Sequence, residues 1–209
     1  MKKKLMFVFV LFVSINVTAQ NHSKLSSQFQ EKLNEAKMTF IKPDGTTELP
    51  VVSNSEMHYD YALKLDDKNI EVRYSIWPIK KAMFDTYNNR QKSAGDSILE
   101  PNKFYKQIAI YAFSKISGGK LNPNQVILHP FSSAVVKKEA NADAGGMFMG
   151  PVDNVFSSKY TFGFYTVIHK DNAGDGFILY LFENQDALFK EYRSITGNSA
   201  LFNALKFSN

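Results

Sequence analysis

Residues 160–182 read YTFGFYTVIHKDNAGDGFILYLF, and this stretch decides the fold. Two runs rich in aromatic and β-branched residues, at 162–169 and 177–182, flank a segment of Asp, Asn and Gly that favours a tight turn. The pattern predicts a β-hairpin. Apolar side chains occupy both alternating sets of positions, so both faces of the hairpin are expected to be buried. An antiparallel pair buried on both sides must lie in the middle of a sheet with further layers above and below it.

A second hairpin is predicted over residues 57–76, where apolar residues alternate with mainly polar ones on either side of Asp67-Lys68. A turn at this dipeptide would pair Leu65 with Ile70, Leu63 with Val72, Tyr61 with Tyr74, Tyr59 with Ile76 and, on the other face, Lys64 with Glu71. One face of this hairpin carries more polar residues. It is therefore expected nearer the sheet edge than the hairpin at 160–182.

Three amphipathic helices are predicted around these hairpins. Apolar residues recur at spacings of three and four over 23–37, again after Asn102, and a third time after Asn184. The closing helix is expected to be interrupted at Gly197 and to resume through Leu205. The middle helix is expected to bury Phe104, Ile108, Tyr111, Ala112 and Ile116 and to end at Gly118-Gly119.

The remaining segments are predicted as short strands and loops. Residues 38–41, 46–53 and 126–128 are predicted strands, the second confined to an edge by Pro50. Alternation over residues 133–144 predicts a further strand, which Gly145-Gly146 would end. Residues 78–100 are polar and are predicted to form a mobile loop.

Composition places the chain among single-domain proteins. It has 209 residues, 44% of them hydrophobic, which is enough for one sizeable core and too few for two comfortable domains. We therefore expect one domain over residues 20–209. The formal charge of +5 includes Lys2, Lys3 and Lys4, and without them 22 basic residues face 20 acidic ones. No basic stripe remains, so nucleic-acid binding is not expected.

Residues 1–19 have the pattern of a cleaved secretory signal. Three lysines precede an unbroken apolar run at 5–13, and Val17-Thr18-Ala19 places small residues ahead of Gln20. The apolar run is far shorter than the ~20 residues that a spanning helix needs, and no other stretch is long enough. We therefore expect export to the periplasm or the extracellular space. The sequence has no cysteine, which excludes disulfides, zinc thiolates, thiol nucleophiles and a lipid-modified cysteine.

The order of these elements resembles the Mog1/PsbP-like fold. The resemblance is carried by the hairpin at 57–76, the helix at 104–116, the strand ending Glu139-Ala140-Asn141-Ala142-Asp143, and the hairpin and helix at 162–192. It implies an α+β fold with a mainly antiparallel sheet sandwiched between helices in an α/β/α three-layer arrangement. It also implies an adaptor, assembly or ligand-binding protein rather than an enzyme. It assigns no role to any residue, since fold does not imply function.

Six residues are candidates for a binding surface: His58, Arg73, Trp77, Glu139, Asn141 and Asp143. Trp77, the only tryptophan, falls on the polar face of the second hairpin beside His58. An aromatic residue there could mark a contact surface or be covered by a helix. The last three candidates share one face of the strand predicted at 133–144, which could be the floor of a cleft or a solvated strand face.

No metal or cofactor motif is complete. The loop at 171–176 invites comparison with an EF-hand, which needs Asp or Asn at its third position and Glu at its twelfth. The chain has Ala173 and Phe182 at these positions, so a plain turn is expected. His58 and Asp60 share a strand face, but the sequence places no third ligand beside them. We therefore expect no cofactor and no metal.

One pair of residues has a catalytic interpretation. His169 and Asp171 lie two apart at a strand end and could act as a base and its orienting carboxylate, with Asp175 as an alternative partner. No Gly-x-Ser-x-Gly elbow supplies a nucleophile, and a histidine that simply caps the sheet end is the plainer interpretation.

The sequence therefore favours a non-enzymatic function. We expect an exported protein that binds a protein partner or a small apolar ligand in the cell envelope, through His58, Arg73, Trp77 and the loop at 80–100. The alternative is a hydrolase that uses His169 with Asp171 or Asp175. A purely structural envelope protein without a discrete site is a third possibility.

Overall fold

Residues 25–90, 99–119, 121, 127–197 and 203–209 are described by the structure, which is a computed structural model. The helices of these residues are α1 (Ser27–Glu35), α2 (Lys81–Asn89), α3 (Phe104–Ile116), α4 (Ser133–Ala140) and α5 (Gln185–Gly197), and a 3₁₀ turn at Pro101–Lys103 leads into α3. The strands are β1 (Met38–Phe40), β2 (Thr46–Leu49), β3 (Tyr61–Leu65), β4 (Ile70–Pro78), β5 (His129–Pro130), β6 (Ala144–Pro151), β7 (Phe162–Lys170), β8 (Gly174–Phe182) and β9 (Leu205–Phe207). The predicted export signal at 1–19 lies outside these residues.

Seven strands of the described residues form one antiparallel sheet in the order β2-β3-β4-β8-β7-β6-β5. The hairpin predicted from residues 160–182 is β7–β8, and it lies in the middle of this sheet between β4 and β6. β1 and β9 form a separate antiparallel ladder. The prediction of a mainly antiparallel sheet built around this hairpin is confirmed.

Each face of the sheet is covered by its own apolar core. The first, which we name the α1 core, contains residues of α1, α4, α5 and the β1–β9 ladder. The second, the α3 core, lies on the other face under α3. Alternation along β8 sends Leu179 to the α3 core and Tyr180 to the α1 core, and both residues are 0% exposed. The sheet is thus sandwiched between helices, as the α+β prediction requires, and each fully buried side chain contributes about 1.5–3 kcal/mol.

The register predicted for the second hairpin is confirmed in β3–β4. Tyr61 pairs with Tyr74, Leu63 with Val72, and Lys64 with Glu71. The hairpin lies to one side of β8, as expected. The more polar face of this hairpin is less exposed to solvent than predicted, because Ser75 is buried and the Arg73 guanidinium lies over the Tyr59 and Phe156 rings.

The strand predicted over residues 133–144 is wrong. Residues 133–140 form α4, which begins at Ser132, whose Oγ accepts a hydrogen bond from Val135 N. The helix ends at Asn141, whose φ of 49° is left-handed. Val136 and Ala140, four apart, are its buried residues, so the same letters that alternate along a strand also fit one helical stripe. Gly145-Gly146, predicted to end the strand, instead lies inside β6.

The region predicted as a mobile loop contains a helix. α2 occupies residues 81–89, with an ion pair between Lys81 and Asp85 one turn apart. None of its residues is buried, so no apolar stripe marked it in the sequence. Residues 91–98 of the predicted loop lie outside the described part.

The middle helix has the predicted bounds but a different buried face. α3 buries Tyr105, Ala109, Phe113 and Ile116, whereas Tyr111 is 63% exposed. Aromatic residues occur on all sides of this helix, so the periodicity allows more than one stripe. The glycine pair ends it as predicted, with φ of 70° at Gly118 and 68° at Gly119.

Smaller differences concern turns and termini. The left-handed residue of the β7–β8 turn is Asn172, not a glycine. Residues 205–207 form β9 rather than the end of the closing helix, while residues 198–202 lie outside the described part. The short strand predicted at 126–128 is found at His129–Pro130, and residue 126 is not among the described residues. β2 lies at the sheet edge, as predicted.

Candidate functional site

A cleft opens where α3 leaves part of the sheet uncovered, and we name it the α3 cleft. Its volume is about 490 Å³. The floor comes from β4, β7 and β8, one wall is α3, and the other wall is the segment that leads into β3. The lining residues are Glu56, Met57, His58, Ser75, Trp77, Gln107, Ile108, Tyr111, Ala112, Tyr165 and Phe177.

The floor of the α3 cleft carries the Ser75 hydroxyl beside the aromatic rings of Tyr165 and Phe177. Ser75 of β4 and Phe177 of β8 are cross-strand partners, so their side chains lie side by side on this face. Ser75 is 2% exposed, and its Oγ has no hydrogen-bond partner within the part of the chain that the structure describes. A buried hydroxyl without a partner costs about 1–3 kcal/mol. The floor therefore keeps a hydrogen-bonding group whose capacity is unused.

Two exposed aromatic residues line the walls. Trp77 is 46% exposed at the end of β4, and Tyr111 is 63% exposed on α3. Large exposed aromatic side chains that line a concave surface offer apolar area to a bound molecule. The polar lining residues are more exposed than the floor: the His58 side chain is 61% exposed, and Gln107 is also exposed.

Beside the cleft, the Asp60 carboxylate is a structural group. Its side chain is 2% exposed; Oδ1 accepts from Lys32 Nζ at 2.7 Å and contacts His58 Nε2 at 2.9 Å. Oδ2 accepts from the Ile76 backbone N–H at 2.7 Å. The carboxylate thus links α1 to β4. The Lys32 ammonium occupies the place beside His58 and Asp60 that a metal would need, and no group of three metal-binding side chains occurs among the described residues.

The same sheet face holds a second polar cluster next to the α3 cleft, centred on His169; Asp175 of this cluster is the cross-strand partner of Trp77. His169 of β7 and Asp175 of β8 are cross-strand partners, and Nδ1 lies 2.6 Å from Asp175 Oδ1. Nε2 lies 2.9 Å from Asp171 Oδ1 in the turn. The Tyr105 ring stacks on the imidazole with centroids 4.5 Å apart. Two carboxylates can both accept from one ring only if both nitrogens carry a proton, so this geometry favours the imidazolium form.

The pKa of this histidine follows from the same contacts. Burial alone lowers the pKa of His169, but the hydrogen bonds and negative charges of Asp175 and Asp171 outweigh burial and raise it above 6.5. Burial also raises the pKa of the Asp175 carboxyl, and the hydrogen bond and charge of His169 reverse this only in part. The pair therefore holds its protons more tightly than the separate side chains would.

A second cleft, the His169 cleft, lies over this cluster and has a volume of about 430 Å³. Its lining is mostly polar: Leu99, Asn102, Lys103, Tyr105, Lys106, Gln107, Asp143, Ala144, His169 and Asp171. None of these residues is a serine or a threonine. Asn102 Oδ1 accepts from the backbone N–H of Asn172, which joins the 3₁₀ turn before α3 to the turn between β7 and β8.

The structure brings some of the predicted surface residues together and separates others. His58 and Trp77 both line the α3 cleft, although His58 precedes β3 and does not lie on the strand predicted for it. Arg73 lies on the same face but pairs with Glu71 at 2.6 Å and is covered by aromatic rings, so it does not line that cleft.

The other three predicted residues do not share a strand face, because that strand is wrong. Glu139 lies on α4 and accepts from Asn203 at 2.7 Å. Asn141 caps α4 and donates from Nδ2 to Ser208 O at 2.8 Å, which holds the chain end. Only Asp143 reaches a cleft: it lines the His169 cleft, and its Oδ2 accepts from Asp171 N at 3.1 Å.

Sequence reasoning missed Ser75 and the α3 residues of the cleft. Ser75 and Trp77 are two residues apart along β4, so the strand period of two already indicated that their side chains lie on the same face. Tyr111 was predicted as buried, and its exposure depends on how α3 is rotated over the sheet. No local signal in the sequence sets that rotation.

Comparison with known proteins gives no match: neither a family model, nor a curated protein, nor a solved structure matches this chain. The resemblance to the Mog1/PsbP-like fold therefore stays a prediction. Among the described helices, none has the length and apolar character needed to cross a membrane.

Proposed function

We propose that this chain is an exported, non-enzymatic binding protein of the cell envelope that holds a small, mainly apolar ligand in the α3 cleft. The observation that carries the proposal is the cleft itself, about 490 Å³ in volume, with aromatic residues on floor and walls. Clefts of this size and character are typical of small-molecule sites. Export rests on the pattern of residues 1–19 alone.

Two features favour a small ligand over a protein partner. The apolar surface is concave, with α3 on one side and the segment before β3 on the other, whereas protein partners usually bury a broad patch. The Ser75 hydroxyl is buried at the floor, so a molecule that enters the cleft can reach it. A partner that lies across the mouth of the cleft cannot.

The proposal is tested with N-phenyl-1-naphthylamine, an apolar dye whose fluorescence rises in apolar surroundings. The protein without residues 1–19 is expected to bind one dye molecule per chain. Trp77→Ala and Tyr111→Ala should each weaken binding by about tenfold, because each removes an aromatic wall worth about 1–2 kcal/mol of contact.

Phe189→Ala is the matched control, since Phe189 is an aromatic residue 59% exposed on α5, which packs on the other face of the sheet. It should leave dye binding unchanged. If Phe189→Ala weakens binding as much as Trp77→Ala, the dye is not in the α3 cleft and the proposal fails.

The hydrolase that uses His169 remains the second candidate. Two observations favour it, namely a cleft at this end of the β7–β8 hairpin and the raised pKa of His169. Against it, both ring nitrogens contact carboxylates, so neither is free to take a proton from a nucleophile. Hydrolysis of p-nitrophenyl acetate that is lost in His169→Gln and kept in His58→Gln would favour this candidate over binding alone.

A further inference from the structure

The buried hydroxyl of Ser75 indicates what kind of ligand the α3 cleft takes. Four buried hydroxyls have no hydrogen-bond partner among the described residues: those of Tyr74, Ser75, Thr166 and Tyr180. Tyr74 and Tyr180 belong to the α1 core, and Thr166 lies between two α1-core residues of β7 on that same face. Ser75 is the one that lines a described cleft.

The surroundings of Ser75 select against charge. Tyr165 and Phe177, the other deep residues of the floor, are 2% and 1% exposed. The two lining residues that carry a carboxylate or an imidazole, Glu56 and His58, lie on the segment before β3, where the His58 side chain is 61% exposed. A charged group brought to the floor would lose its hydration without gaining a counter-ion, which is far more costly than burying a neutral polar group that is hydrogen-bonded.

We propose that the ligand is a neutral molecule with an apolar body and one hydroxyl or carbonyl group at the end that enters first, and that Ser75 Oγ forms a hydrogen bond with this group. This inference rests on the proposed function. Trp77 and Tyr111 contact the apolar body, and Ser75 discriminates between an alcohol, phenol or ketone and the corresponding hydrocarbon. Ser75 is thus a specificity-determining residue.

The experiment uses Trp77 as its reporter. Because Trp77 is the only tryptophan, its indole gives a single resonance in the ¹⁵N–¹H spectrum, and this resonance reports occupancy of the α3 cleft. The probes are 2-naphthol, naphthalene and the 2-naphthoate anion, which share a ring system and differ in the polar group. Each is titrated into the wild type, Ser75→Ala and Thr166→Val.

Ser75→Ala is expected to weaken 2-naphthol binding by about three- to tenfold, the usual effect of one hydrogen bond, and to change naphthalene binding by less than twofold. In the wild type, 2-naphthoate should bind at least about tenfold more weakly than 2-naphthol. Thr166→Val, which removes a buried hydroxyl from the opposite face, should leave all affinities unchanged.

The possible failures are distinguishable. If none of the three probes shifts the Trp77 indole resonance in the wild type, the proposed function itself is overturned. If the probes bind but Ser75→Ala changes the 2-naphthol and naphthalene affinities by equal factors, or changes neither, the role of Ser75 is overturned while the apolar cleft stands. Tight binding of 2-naphthoate overturns the neutrality of the ligand.

Discussion

The His169 imidazole is buried between two carboxylates. It is 2% exposed, yet Asp175 and Asp171 each contact one of its ring nitrogens and Tyr105 stacks on its face. A charge buried in this way is tolerated because it is paired on both sides. The cluster joins β7, β8, their turn and α3 at one end of the sheet, so its protonation state is linked to folding.

The first prediction concerns pH. The folded-state pKa of His169 is raised above 6.5, so its charged form stabilises the fold. That contribution is fully present below the unfolded-state pKa and is lost as pH rises through the folded-state pKa. Urea unfolding should therefore show the wild type losing stability relative to His169→Gln as pH rises above the unfolded-state pKa of about 6.5. Equal slopes of stability against pH in the wild type and His169→Gln would contradict the assignment.

The second prediction concerns Asp60. Asp60→Ala removes the buried acceptor of Lys32 Nζ and of the Ile76 N–H, and leaves that N–H without its partner. The expected loss in the free energy of unfolding is about 3–5 kcal/mol, as for other broken buried ion pairs. Glu31→Ala, which removes an exposed carboxylate from α1, should change it by less than about 0.5 kcal/mol. Similar midpoints in urea for both variants would show that Asp60 does not hold α1 on β4.

At the scale of elements, the sequence predicted best where apolar residues left a single arrangement. In β3–β4, a shift of one residue would move Leu63 and Val72 out of the α1 core and bring Lys64 and Glu71 into it, so the register was readable. The stretch 133–140 had no such constraint, because only Val136 and Ala140 are buried there and both periods fit. The Ser132 cap was the signal for a helix, and the alternation of small residues obscured it.

The third prediction concerns the end of α3. Gly118 and Gly119 both have positive φ, but the space around them differs. A Cβ added at Gly118 would lie 2.5 Å from Asp153 Oδ2 and 2.9 Å from Asp153 Cβ. A Cβ added at Gly119 would meet nothing within 4 Å. Gly119→Ala should cost about 1 kcal/mol for its left-handed backbone. Gly118→Ala should cost at least about 1 kcal/mol more, because the segment that carries Asp153 must move away from α3. Thermal unfolding of the two variants makes the comparison, and equal melting temperatures would contradict it.

At the scale of the whole molecule, the candidate site was harder to predict than the fold. Burial on both faces of residues 160–182 follows from local composition, and it fixed the centre of the sheet. The α3 cleft depends instead on the place where α3 stops covering β4, which is set by packing between residues far apart in the chain. Trp77 was recognised because an aromatic residue on a polar face conflicts with its local pattern. Ser75 and Tyr111 create no such conflict; the strand period placed Ser75 on the face of Trp77 but gave no reason to assign it a role.

The last prediction is that the β7–β8 hairpin is the slowest part of the molecule to exchange its amide hydrogens. β7 is paired with β6 and β8, and β8 with β7 and β4, while the α1 and α3 cores cover the two faces. The amides of Val167 and Leu179 therefore have no route to water short of global unfolding. Those of Thr47 and Glu48 in the edge strand β2, which pairs with β3 alone among the described strands, should exchange through local opening and much faster.

Hydrogen exchange measured by NMR at several urea concentrations separates the two routes, because only global opening depends steeply on urea. Exchange at Val167 that is as fast as at Thr47, or that is independent of urea, would mean that the hairpin is open to water on one face. In that case the two cores could not be the basis of the fold.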